Sequence, residues 1–188
     1  MISSRRVAAL AVLLLGPMAW AQPRLPAGPR VLFSVSDVVK QDDGTYGRLD
    51  QRLTYDPDRG EYVHETHAEG VLIARTVRTT SVAGPTPAEA EVSRALIATH
   101  PEIAPLLRRD RDEVTIDGGF PLVREAGHPC GPGGRCATFD VFTGRDRQRL
   151  RYVIVDLRTG RVLDADADPQ RDSNLAHPAA RRQSRLRL

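Results

Sequence analysis

The stretch QRLRYVIVDLRTGRVL, Gln148 to Leu163, decides how the rest of the chain is read. Leu150 to Leu157 is its densest β-type run, with Tyr152, Val153, Ile154 and Val155 consecutive. Apolar residues on both parities predict a strand covered on both faces, and therefore a central one. Asp156-Leu-Arg-Thr-Gly160 supplies turn chemistry: an Asp to accept backbone hydrogen bonds and a Gly where φ can be positive. Arg161-Val-Leu163 resumes as a short strand, which Asp164, Asp166 and Asp168 close.

A central strand needs neighbours, and the rest of the chain supplies them. Val31 to Val39 alternates, placing Val31, Phe33, Val35 and Val39 on one face. Asp42-Asp-Gly44 turns the chain into Gly47 to Tyr55, and Asp56-Pro-Asp-Arg-Gly60 turns it again. Glu61 to His67 and Val71 to Val82 complete four strands, an antiparallel meander with one wet face. Thr86-Pro-Ala-Glu89 then reads as a capping box with Pro at the first helical position. Val92, Ala95, Leu96 and Thr99 recur at helical spacing as the apolar face, and His100-Pro101 stops the helix. A strand or two are expected at 113–116 and 120–125, around Asp117-Gly-Gly119, and another at 136–143 after the Gly/Pro-rich loop 126–135.

The first twenty-one residues carry processing signals: Arg5 and Arg6, the apolar run Val7 to Leu15, and Ala19-Trp-Ala21. This pattern predicts a signal peptide cleaved near Ala21 and an exported, periplasmic or extracellular, protein. Residues 22–30 form an extended lead-in, 31–169 a single domain, and 170–188 an Arg-rich, disordered tail. Five arginines in the last eighteen residues face one acid, Asp172, so the basic balance belongs to that tail. Arg181, Arg182, Arg185 and Arg187 would suit a weak contact with an anionic surface. In the body, Arg alternates with Asp and Glu, and a basic stripe or aromatic stacking platform is missing. Nucleic acid is therefore not an expected partner.

Cys130 and Cys136 are the only cysteines. In an oxidising compartment, two Cys flanking Gly-Pro-Gly-Gly-Arg read most simply as a disulfide. The alternatives are a redox pair or a Cu(I) site completed by His128, which requires both thiols to stay reduced. His64 and His67 stand at i, i+3 in a β-type stretch, on opposite faces, and do not form the helical zinc motif. Asp164, Asp166 and Asp168 lack the EF-hand glycine and distal glutamate. Asp110-Arg-Asp-Glu113 reads as a solvated charge run, and Ser93, Ser173 and Ser184 have no nucleophile-elbow context. No catalytic residue, metal ligand or cofactor site is assigned.

The pattern Tyr152-Val-Ile-Val-Asp156-x-x-Thr159-Gly160-x-Val162-Leu163, preceded by one capped helix and antiparallel strands, resembles PepSY-type modules. It also resembles the N-terminal cystatin-like domains of copper amine oxidases, without their copper or quinone chemistry. The resemblance covers 86–166 and implies a non-catalytic binding or regulatory unit. The expected fold is α+β: a mainly antiparallel sheet covered by one principal helix, with the meander 31–82 extending it. The expected function is an exported binding module for a protein or peptide partner. A copper- or redox-handling protein on His128, Cys130 and Cys136 is the alternative, and a hydrolase with a hidden acid/base pair is the third.

Overall fold

The computed structural model describes residues 23–109, 114–143 and 147–174. The segment expected to be a signal peptide, the charge run 110–113 and most of the tail, including Arg181, Arg182, Arg185 and Arg187, lie outside them. The elements in order are β1 (Arg30–Lys40), β2 (Tyr46–Asp56), β3 (Glu61–Ala68), β4 (Val71–Arg78), α1 (Pro87–Thr99), α2 (Ala104–Arg109), β5 (Thr115–Leu122), β6 (Cys136–Thr143), β7 (Gln148–Asp156), β8 (Arg161–Asp164) and α3 (Pro169–Asp172).

The strands form two separate four-stranded antiparallel sheets, β1-β2-β3-β4 and β5-β6-β7-β8. This corrects the expected architecture of one sheet covered by one principal helix. The meander does not extend the second sheet, because no strand of one hydrogen-bonds to a strand of the other. Alternation along the chain locates strands, but does not tell which edges pair. Helix is also a minor part: α1 runs for thirteen residues and α2 for six.

The second sheet behaves as its central strand foretells. Val153 and Val155 of β7 join Ala137, Phe139 and Val141 of β6 on one face, against Ile97 of α1 and Ile103. Tyr152 and Ile154 face the other way, into a cluster with Leu122, Cys130, Cys136 and Ala167. Both faces of β7 are thus covered. Of the one or two strands expected around Gly118 and Gly119 there is one, β5, with a register shift at that point.

The apolar face proposed for α1 is rotated from the observed one. The buried residues are Glu89, Ala90, Ser93 and Ile97, while Thr99 is exposed. Positions 89, 93 and 97 stack at i, i+4 on one side of a helix, so burying Glu89 fixes which side turns inward. The capping box is as expected: Thr86 Oγ1 accepts from the Glu89 amide, and Glu89 Oε2 accepts from the Thr86 amide at 2.8 Å.

In the first sheet a bulge at Leu32 moves Val31 off the face of Phe33, Val35 and Val39. Val31 stands opposite Thr54, and Phe33 opposite Leu53. Two hairpins, one in each sheet, share the same five-residue turn. In Asp56–Gly60 and Asp156–Gly160 the first Asp Oδ1 accepts amides two and three residues on, and the Gly amide returns to the Asp carbonyl. Gly60 and Gly160 take φ of 65° and 69°, which a β-carbon would oppose.

Candidate functional site

Three arrangements could carry function: the cysteine loop, the buried joint between the sheets, and the outer half of the first sheet. Cys130 and Cys136 lie at disulfide distance, with their Cα atoms 5.3 Å apart and both side chains buried. His128 turns its Nδ1 to accept the Cys130 amide at 3.0 Å, so this ring nitrogen already serves the loop. Among the described residues, no group of three or more His, Cys, Asp or Glu is placed to hold a metal ion. Reduction, or replacement of both cysteines by Ala, is expected to destabilise the protein by about 2 kcal/mol, through the unfolded chain's added freedom. Urea unfolding of the two forms measures it, and an unchanged midpoint would show the bond to be idle.

The loop closed by this bond delivers Arg135 into the joint. Glu89 is fully buried, and its carboxylate accepts four hydrogen bonds. Arg135 supplies two in a fork, Nε to Oε1 at 3.0 Å and Nη2 to Oε2 at 2.8 Å. Arg30 Nη1 gives a third at 2.7 Å, and the Thr86 amide the fourth. The guanidinium groups also reach main-chain carbonyls, Arg135 those of Ala83 and Gly84 and Arg30 that of Leu157, while the buried Arg30 Nε has no partner among the described residues. Tyr55 stacks beneath both cations, with ring-centre distances of 5.4 Å to Arg30 and 5.7 Å to Arg135. The hydroxyls of Tyr55 and Tyr62 donate to Gly133 and Gly134 of the cysteine loop.

Electrostatics follow from this packing. Burial alone would raise the Glu89 carboxyl, but the Arg135 hydrogen bond and charge, the Thr86 amide and the Arg30 charge carry it below 4.5. Burial opposes the charge on Arg135 too, yet Glu89 raises it on balance. Burial, then the neighbouring Tyr62, pushes Tyr55 up to about 12, and burial raises Tyr62. The cluster holds charges in one fixed state and joins β1, β2, β3, α1 and the cysteine loop. Its role is structural. Sequence reading saw Glu89 only as a helix cap, since Arg30 and Arg135 are 59 and 46 residues away.

Beyond the joint, the first sheet stands open. Opposite residues on neighbouring strands share a face. One face therefore carries Phe33, Val35 and Val39 with Leu49, Leu53, His64, Ala68, Val71 and Ala74, interspersed with Asp37, Gln51, Thr66 and Thr76. The other carries the charges Arg48, Asp50, Arg52, Glu65 and Arg75, two pairs of which form exposed salt bridges. His64 and His67 fall on opposite faces, as their spacing requires. His64 lies 6.0 Å from Phe33 between ring centres, with a buried Nε2 that has no hydrogen-bond partner among the described residues.

The remaining candidates resolve into local structure. Ser93 Oγ donates to the Glu89 carbonyl within α1, Asp164 accepts the Asp166 amide, and Asp168 caps α3. None of the described helices is long and apolar enough to cross a membrane, and that and the cysteine pair are compatible with export. No protein-family model matches the chain, and no curated protein matches it in sequence.

Proposed function

We propose that this is an exported, non-catalytic binding module that engages a protein or peptide partner on its first sheet. One observation carries the reading. Of twelve exposed large apolar side chains among the described residues, ten lie on β1, β2 and β4. Four of the ten, Phe33, Val35, Val39 and Val71, share the face of His64, and an exposed apolar group on one sheet face suits a docking surface. β1 and β4 are both edge strands, with unpaired main-chain groups that a partner strand can extend. The unpartnered Nε2 of His64 supplies a polar group within the apolar face. The sequence resemblance of 86–166 to PepSY-type modules points to the same class.

Site-specific photocrosslinking in the exporting cell tests it. A photoreactive residue at Val35 or Val71 should give one discrete adduct, and one at Glu91, exposed on α1, should give none. An adduct of twice the chain's own mass would replace the partner with a second copy. Equal labelling at all three positions, or none at any, would remove the reading. A thiol and copper titration addresses the copper alternative, with no free thiol and no stoichiometric copper expected. Tight one-to-one Cu(I) uptake that is lost on His128→Ala would favour the alternative.

A further inference from the structure

A cleft of about 840 Å³ lies where three distant segments meet. The lead-in Pro23 to Gly28 forms one wall, and Pro57 and Asp58 of the β2–β3 turn form another. The β7–β8 turn, Arg158 to Arg161, supplies the third, with Leu96 of α1 between. Arg158 fixes two walls together: its Nε donates to the Pro57 carbonyl at 2.8 Å and its Nη2 to the Asp58 carbonyl at 3.5 Å. The volume lies within the range of ordinary ligand sites.

The lining is cationic. Arg24, Arg158 and Arg161 face one acid, Asp58, while the charge of Arg30 is already met by Glu89. Arg24 and Arg161 are exposed and have no acidic partner among the described residues. Guanidinium forks of this kind match carboxylates. Pro23, Leu25, Pro26 and Leu96 add apolar surface beside them. No aromatic ring lines the cleft, so a base has nothing to stack on. Among the described residues, the lead-in before Arg30 joins neither sheet and makes no main-chain hydrogen bond to the main chain of another segment. Free amides and carbonyls along an extended strap suit a ligand with a main chain of its own.

We propose that this cleft binds an extended acidic peptide segment, with its carboxylates on Arg24, Arg158 and Arg161 and its apolar residues against Leu25 and Leu96. The site is distinct from the apolar face of the first sheet and does not depend on what docks there.

Fluorescence anisotropy on the full exported chain tests the proposal, with a labelled octapeptide of alternating Glu and Leu as the probe. It should bind, a Lys–Leu octapeptide should not, and added salt should weaken the complex. Reversing both exposed charges, Arg24→Glu with Arg161→Glu, should weaken binding at least about tenfold. Arg24→Ala with Arg161→Ala, which adds no acid, should weaken it less, and both variants should keep the wild-type circular dichroism melt. Equal binding of the two octapeptides, unchanged affinity in both variants, or no binding of the acidic probe at millimolar concentration would overturn the assignment. Displacement of the probe by free glutamate or inorganic phosphate at equal concentration would reduce the cleft to a small-anion site and overturn it too. Crosslinks at Val35 or Val71 are unaffected by either double variant if the two surfaces act independently.

Discussion

Glu89→Ala is expected to lower the stability by about 3–5 kcal/mol, enough to leave much of a domain of this size unfolded. The substitution does not remove one contact. It strands two guanidinium groups, on Arg30 and Arg135, that are 6% and 3% exposed and cannot recover water without opening the joint. It also frees the Thr86 amide that the same carboxylate accepts, so the first turn of α1 loses half of its capping box. Urea unfolding followed by circular dichroism measures the change, and a loss below about 1 kcal/mol would show that the joint tolerates unpaired cations. Acid should act through the same group. The Glu89 carboxyl is lower in the folded protein than its ordinary 4.5, so its contribution is complete above that value. It is lost as the pH falls through the folded value. The wild-type urea midpoint should therefore drop below pH 4.5 by more than that of the Ala variant.

Tyr55→Ala should cost a comparable 3–5 kcal/mol, for a different reason. Tyr55 is fully buried, packs 4.7 Å from Tyr62 between ring centres, and lies under both cations of the joint. Truncation leaves a cavity between the sheets and removes the ring beneath each guanidinium. Tyr55→Phe keeps the ring and deletes only the hydroxyl that donates to Gly133, so about 1 kcal/mol should go. A Phe variant as weak as the Ala variant would mean that the hydroxyl, and not the packed ring, holds the sheets together.

What could be read from the sequence was local. The box at Thr86 to Glu89, the two Asp-initiated turns and the doubly covered β7 all depend on residues within a few positions of one another. The alternation along β1 and β2 was legible too, except for the bulge at Leu32, which no neighbour announces. The face of α1 was misread because Val92, Ala95 and Leu96 are apolar, whereas the buried side is set by an acid. A glutamate becomes a core residue only when cations arrive to meet it, and these come from the lead-in and from the cysteine loop. The same holds for the cleft: Arg24 and Arg161 are separated by most of the chain and become neighbours only through folding. That the strands divide into two sheets was illegible for a related reason, since strand pattern records which face is buried and not which edge is joined.

The joint has one further property. Apart from the bonds to Glu89, its polar contacts end on main-chain carbonyls, at Ala83, Gly84, Gly133, Gly134 and Leu157. A carbonyl is offered by any amino acid, so the accepting positions place little demand on side-chain identity. The close approach of Gly60 to Gly133 is an exception, because a β-carbon at Gly60 would come within 2.8 Å of the facing carbonyl oxygen. Five donors and acceptors, Arg30, Tyr55, Tyr62, Glu89 and Arg135, thus specify how the sheets meet. Most of the surrounding sequence is left free to drift over evolutionary time while the arrangement persists.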